Sequence, residues 1–274
     1  MLAALIIVFR EVFEAGLIVG IILAVTRSVP QRGLWITGGV AGGVLGACIV
    51  AAFAGVLSEA FAGSGQELFN ATVLLIAVVM LTWHNVWMAR HGRELAAEMR
   101  AAGEAVVSGR SSLAALAIVV GVATLREGSE VVLFLYGILA SGGNSEASVF
   151  LGGVLGLLSG ALVCALAYLG LLRIPGRHLF SVTSAMIAFL AAGMAAQAVL
   201  FLAQADILTA FGSVVWDTSW LLSDDSVLGR TLHTLIGYSD RPTAMQLIVY
   251  LATLAVMFGL MRVFAPEPKA VPAH

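Results

Sequence analysis

The sequence predicts an all-α integral membrane protein of seven transmembrane helices, arranged as an inverted repeat of three plus three helices with a seventh added. Three observations predict it. Of 274 residues, 60% are hydrophobic and only 11% charged, with a mean hydropathy of +1.02, far from the balance of a soluble domain. Apolar windows of about 20 residues, long enough to cross a bilayer, recur along nearly the whole chain. Finally, one charged pentad occurs twice in the middle of such windows, as Arg10-Glu11-Val12-Phe13-Glu14 and Arg126-Glu127-Gly128-Ser129-Glu130.

The windows fall at about 2–25, 34–57, 68–89, 113–140, 148–172, 180–205 and 244–264. The first contains Arg10, Glu11 and Glu14 and lacks a basic leader, so it reads as a retained helix rather than a signal peptide. Connections at 27–33, 141–147 and 173–179 are short and make consecutive helices antiparallel neighbours. Two connections are longer, 90–111 and 206–243. In the second, Leu228, Leu232, Leu235 and Ile236 follow helical spacing and predict a short amphipathic helix. The expected organisation is one transmembrane domain over 1–264: repeat one 1–89, a cytoplasmic loop 90–111, repeat two 112–205, an outer loop 206–243, helix seven 244–264, and a cytoplasmic tail 265–274. No length remains for a soluble catalytic domain. Cys48 and Cys164 fall in apolar windows and read as buried small side chains.

Charge placement orients the chain. Arg27, Arg32, Arg90, Arg93, Arg100, Arg110, Arg173, Arg177, Arg262 and Lys269 fall on one side, and only Arg230 and Arg241 on the other. The positive-inside rule makes the first side cytoplasmic, which puts the N-terminus outside and the C-terminus inside. Glu59, Glu67, Glu146, Asp206, Asp217, Asp224, Asp225 and Asp240 then lie toward the outer face, an acidic surface that concentrates cations. No basic patch suggests nucleic acid, and with Lys269 the only lysine there is no Walker-type nucleotide loop.

The repeat is legible at an offset of 116, where Arg10, Glu11, Glu14, Leu17, Ile22, Leu23 and Ala24 match Arg126, Glu127, Glu130, Leu133, Ile138, Leu139 and Ala140. It continues in Gly38-Gly39-Val40 against Gly152-Gly153-Val154, and in Gly46-Ala47 against Gly160-Ala161. Three helices is an odd number, so the second copy enters the membrane from the opposite face. The glycines of helices 2 and 5 let backbones approach closely in lipid.

An ionisable residue at bilayer depth costs about 2.5–3.5 kcal/mol on the lenient insertion scale, so two matched sets imply a function that needs them. Glu11 and Glu14 share a helix face, as do Glu127 and Glu130, and Arg10 and Arg126 reach Glu14 and Glu130 one turn on. Four carboxylates converging at the midplane form a metal site for a hard cation, with the arginines as charge-tuning partners that orient them. His and Cys, which zinc and copper prefer, are absent from the pentads. Glu67, Asp217 and Ser219 on the outer side are candidates for a cation relay, and His84 with Asn85, toward the inner third of helix 3, for an exit path. Met80, Met88, Met186 and Met194 read as packing.

Arg-Glu-x-x-Glu in helices 1 and 4, together with Glu67-Leu68-Phe69, Leu81-Thr82-Trp83, Trp87-Met88, Asp217-x-Ser219 and Gly237-Tyr238, resembles the high-affinity iron permease family, the oxidase-dependent iron transporters of fungi and bacteria. The resemblance covers residues 1 to about 264. It implies that Glu11, Glu14, Glu127 and Glu130 are iron-translocation residues, and that iron, as Fe2+ or Fe3+, is the transported substrate rather than a permanently bound cofactor. It also implies a bacterial cytoplasmic membrane and a periplasmic partner that supplies or oxidises the iron. The chain departs from the family's Arg-Glu-Gly-Leu-Glu at Val12, Phe13 and Ser129, and carries Asn70 where many relatives have a second acidic residue after Glu67. Two other readings stand beside it: a permease for another cation such as lead or manganese, because carboxylates do not name the metal, and an intramembrane di-metal oxidase, whose Glu-x-x-His pairs the pentads lack.

Overall fold

The computed structural model describes residues 1–60, 66–141, 145–170, 176–224 and 226–264. Arg173, Asp225, Lys269 and the expected tail at 265–274 lie outside them, as do the side chains of Glu59, Arg93 and Arg177. The described residues form eight helices: α1 Leu2–Val25, α2 Arg32–Ala60, α3 Gln66–Val107, α4 Leu113–Ala140, α5 Glu146–Tyr168, α6 Gly176–Gln204, α7 Val227–Ile236 and α8 Ala244–Val263. Five of them, α2, α3, α5, α6 and α8, contain stretches long and apolar enough to cross a membrane. α1 and α4 are equally apolar in bulk, but each carries three charges from its pentad. Together with the exposed apolar side chains described below, this is the build of a multi-pass membrane protein.

Local chemistry sets the ends. Ser112, Ser145 and Ser226 each accept a backbone N–H in the first turn of α4, α5 and α7, and Thr243 with Gln246 makes a reciprocal capping box on α8. α7 stops at Gly237, whose φ of 69° is the left-handed conformation glycine adopts freely. The α1 C-terminus is closed by a guanidinium, with Arg32 Nη1 donating to the Leu23 carbonyl at 3.0 Å.

Glycine decides which helices pair. Along α5, Gly152 lies against Met1 and Ala4, Gly156 against Leu5 and Val8, and Gly160 against Phe9 and Val12, so α1 and α5 run parallel in close contact. Gly39 of α2 faces Ala117 and Val120 of α4, Gly43 faces Gly121 and Thr124, and Gly46 faces Leu125, a second parallel pair. Helix one of each triplet therefore packs on helix two of the other. α3 and α6 pair in the opposite sense: Ala77 and Met194 meet at Gly137, while Asn85 bonds to Ser184.

The main core lies between these pairs. Ala3, Ile7, Leu74, Leu81, Phe134, Ile138, Ile187, Ala191, Met194 and Met257 form one buried cluster, with α6 the most enclosed helix. The outer faces stay apolar, with Leu45, Ile49, Phe53, Trp83, Phe150 and Leu162 all exposed, the expected inversion where the surrounding solvent is lipid.

Three expectations need correction. The connection 90–111 is not a loop over most of its length: α3 continues to Val107, a 42-residue helix about 63 Å long at 1.5 Å per residue, roughly twice a bilayer core. Residues 90–107 are rich in helix formers and contain no proline, so nothing in the chain stops the helix when its apolar stretch ends. The extension is held by packing: Leu95, Met99 and Val106 join Ile18, Ile22, Ile36, Leu116 and Val120 in a second cluster spanning α1, α2 and α4. Cys48 is exposed rather than buried, because the face of α2 that carries Leu45 and Ile49 points outward. Cys164 is half-buried, and its Sγ lies 3.6 Å from the Phe13 carbonyl. The third is His84, which sits among the pentad carboxylates. The short amphipathic helix expected around Leu228–Ile236 is present as α7.

Candidate metal centre

The pentads meet. α1 brings Arg10, Glu11 and Glu14 to 2%, 1% and 3% exposure, and α4 brings Glu127 and Glu130 to 3% and 8%. The four glutamates proposed from the sequence are thus all buried, and both helices aim them at the same interior region. Within α1, Arg10 Nε lies 2.9 Å from Glu14 Oε1 and Arg10 Nη1 3.4 Å from Glu11 Oε1. Within α4, Arg126 Nε donates to Glu130 Oε1 at 3.3 Å. The one-turn reach expected of each arginine is therefore present.

The repeat is not symmetric in its charges. Arg10 is enclosed, whereas the Arg126 side chain is 38% exposed and its guanidinium stacks over the Trp87 ring, 4.4 Å from the centroid. Trp87 and His84 both come from α3, one turn apart.

His84 sits inside the cluster. Its side chain is 3% exposed, with Nε2 3.4 Å from Glu14 Oε2 and 3.9 Å from Glu11 Oε2, while Nδ1 is in contact with Glu130 Oε2. The sequence placed His84 toward the inner third of helix 3, as a candidate for an exit path, and named glutamates alone as ligands; in the structure its imidazole lies between the carboxylates of α1 and α4. The signal available was an ionisable residue inside an apolar window. Its company could not be read, because which face of α3 meets α1 and α4 depends on how the helices pack. The neighbouring Asn85 fixes this part of α3, its Nδ2 donating to the Ser184 carbonyl at 3.1 Å and lying 3.7 Å from Met261 Sδ.

One ligand atom each from Glu11, His84, Glu127 and Glu130 lies within 4.8 Å of the others. Ligands on opposite sides of a single cation, with bonds of about 2.0–2.4 Å, span that distance. Among the described residues, Glu11 Oε2, both carboxylate oxygens of Glu14, Glu127 Oε2, Glu130 Oε2, and both ring nitrogens of His84 are buried with no aligned hydrogen-bond partner. Glu14 Oε1 and Glu130 Oε2 are nevertheless held by ionic contacts with Arg10 and His84, so the group is a dense buried charge cluster with few aligned hydrogen bonds, unusual for buried polar atoms. Glu14, closest to Arg10, stands beside the four-atom group rather than in it. The oxidase class expects His three residues after Glu on one helix; His84 instead comes from a third helix.

The outer candidates do not join this cluster. Glu67 is exposed in the first turn of α3. Asp217 is exposed and tied locally, its Oδ1 accepting from the Ser219 backbone and hydroxyl at 3.0 and 2.6 Å and its Oδ2 lying 3.0 Å from Arg241 Nε. Those contacts hold the Asp217 carboxyl below the usual carboxylate range, Ser219 contributing most. Elsewhere a cavity of about 440 Å³ is lined by Gln197, Asp224, His233, Tyr238 and Gln246. Partial burial pushes the Asp224 carboxyl up.

Comparison with known proteins finds relatives along most of the chain. A protein of Yersinia pestis named ferrous iron permease EfeU is 32% identical over 255 residues, covering 91% of this chain and 89% of the relative. One of the same name from Escherichia coli O6:H1 is 33% identical over 270 residues, covering 95% and 96%; a Shigella sonnei protein, again of that name, is 32% identical over 269 residues. No solved structure matches. The model of the iron permease FTR1 family matches residues 1–267, and the chain belongs to that family.

Proposed function

We propose that this chain carries Fe2+ inward across a bacterial cytoplasmic membrane through a mid-membrane site made by Glu11, Glu14, Glu127 and Glu130. The observation that carries the reading is the convergence of two Arg-Glu-x-x-Glu motifs, buried and with donor atoms within 4.8 Å of one another, from two helices of a membrane protein. Four carboxylates and two guanidinium groups sum to −2, a charge that one divalent cation offsets. Iron is the cargo, and no permanently bound cofactor is part of the proposal. The relatives' names supply the ferrous state.

In this reading α1 and α4 span the membrane with α2, α3, α5, α6 and α8, giving seven crossings in one domain. The two triplets are inverted repeats: α1 pairs in parallel with α5, and α2 with α4, as expected when the second copy enters from the opposite face. Residues 1–89 and 112–205 are the repeats, joined by the α3 extension on the cytoplasmic side. The segment 206–243 faces outward, where its acidic groups would receive iron from a periplasmic partner, and the N-terminus lies on the same side. A membrane potential favours inward movement by about 2.3 kcal/mol per charge per 100 mV, so twice that for Fe2+.

Uptake of radiolabelled iron into proteoliposomes under reducing conditions tests the reading. Wild-type protein is expected to concentrate Fe2+, and Glu14→Ala and Glu130→Ala to lose uptake while still eluting as folded protein. Wild-type uptake in both variants would remove the shared site; no uptake of iron by the wild type, with lead or manganese carried instead, would remove iron.

A further inference from the structure

We propose that His84 is itself a metal ligand, and that its nitrogen sets the class of cation the centre accepts: divalent transition ions such as Fe2+, with Mg2+ and Ca2+ excluded. The proposal rests on the reading of the pentads as the transport site and goes beyond it, because a site of glutamates alone would have no such preference. Mg2+ and Ca2+ are held by oxygen donors, and Mg2+ gives up its water reluctantly. Imidazole favours iron, zinc, copper and nickel. A nitrogen placed among four carboxylates is therefore the one group here that separates iron from the far more abundant hard divalent ions.

The placement fits a ligand better than a brace. His84 is buried with carboxylate oxygens at both nitrogens, Glu11 and Glu14 at Nε2 and Glu130 at Nδ1, which puts its nitrogens where a cation held by those carboxylates would lie. The helical brace is already supplied next door by Asn85, which bonds to α6. His84 also occupies the gap between the two pentads, so a cation bound to Glu11 and Glu127 meets the imidazole without any helix moving: all of these donor atoms, and that of Glu130, already lie within 4.8 Å of one another. Neither pentad contains a nitrogen ligand of its own apart from the guanidinium groups, which cannot bind a cation.

Two measurements on the full-length protein test this. X-ray absorption of Co2+-loaded and Fe2+-loaded protein in detergent reads the donor atoms directly. The wild type is expected to show the ring scattering of one imidazole, retained when His91, His178, His233 and His274 are all replaced by Asn, and lost in His84→Gln. In proteoliposomes, His84→Glu is expected to lose discrimination, with Ca2+ inhibiting whatever Fe2+ uptake the variant retains at a concentration lower by about tenfold or more, the low end of what losing even an outer-shell partner costs a metal site. An all-oxygen shell in the wild type overturns the proposal without recourse to any variant, as does an imidazole signal unchanged in His84→Gln, or a Ca2+ sensitivity unchanged in His84→Glu. Glu127→Gln separates this failure from that of the site: if Glu127→Gln binds and carries Fe2+ as the wild type does, the glutamate site is wrong, whereas loss in Glu127→Gln with indifference to His84 leaves the site standing and His84 outside it.

Discussion

The two arginines of the repeat occupy equivalent positions in the sequence and inequivalent ones in the structure, and their removal should differ accordingly. Arg10 has a side chain 2% exposed, with two carboxylates of its own helix at 2.9 and 3.4 Å. Replacing it by Met fills a similar volume but leaves Glu11 and Glu14 without their cation. Breaking a buried ion pair from one side costs about 3–5 kcal/mol. Arg126 is 38% exposed, with one carboxylate contact at 3.3 Å, worth about 0–1 kcal/mol when that open. Its stacking on Trp87 adds about 0.5–1 kcal/mol, so with the ion pair Arg126→Met should cost about 0.5–2 kcal/mol. Reversible unfolding in mixed detergent micelles, without metal and at one pH, measures both. Equal losses, or a larger loss for Arg126→Met, would refute the claim that burial, and not motif membership, sets the value of these charges.

Glycine substitutions should divide by helix face. A methyl added at Gly156 would lie 2.5 Å from the Leu5 carbonyl and 2.9 Å from the Phe9 nitrogen, so Gly156→Ala should destabilise by about 1–3 kcal/mol. Gly42 has nothing within 4 Å, and Gly42→Ala should be neutral or stabilising by up to about 1 kcal/mol; the same unfolding assay decides, and a loss at Gly42 as large as that at Gly156 would contradict the packing described. The Asp217 carboxyl is held below its ordinary value by Ser219 and Arg241, so its contribution is fully present above about pH 3.9, the unperturbed value, and is lost as pH falls through the lower folded value. Melting of Asp217→Asn against wild type should therefore show a small deficit from pH 8 to 5 that closes as the pH falls below the ordinary carboxylate range; a deficit that widens on acidification would reverse the sign.

Much of the centre was legible because its signal is a violation. Charges are rare in apolar windows, so Arg10, Glu11, Glu14 and their mates stood out, and their spacing fixed which side chains share a face. The glycines told the same story of close packing, though the residues alone could not say that α1 would choose α5 and α2 would choose α4. That choice depends on which small faces meet across the bundle, such as Gly43 against Gly121. His84 was visible as a residue and invisible as a neighbour of the pentads: which side chains of α3 meet α1 and α4 depends on how the helices pack, and the sequence of α3 does not encode that. The inequality of Arg10 and Arg126 was likewise hidden, since it arises from Trp87 and from burial, neither of which the pentad encodes.

The central claim is that one cation is shared by both repeats. Anomalous scattering at the iron absorption edge, from crystals of the full-length protein grown with Fe2+ under reducing conditions, tests it most directly. The account predicts a peak within bonding distance of carboxylate oxygens from both α1 and α4, at Glu11, Glu127 and Glu130. A peak confined to the outer acidic segment around Asp217 and Asp224, with the pentads still paired among themselves, would contradict it.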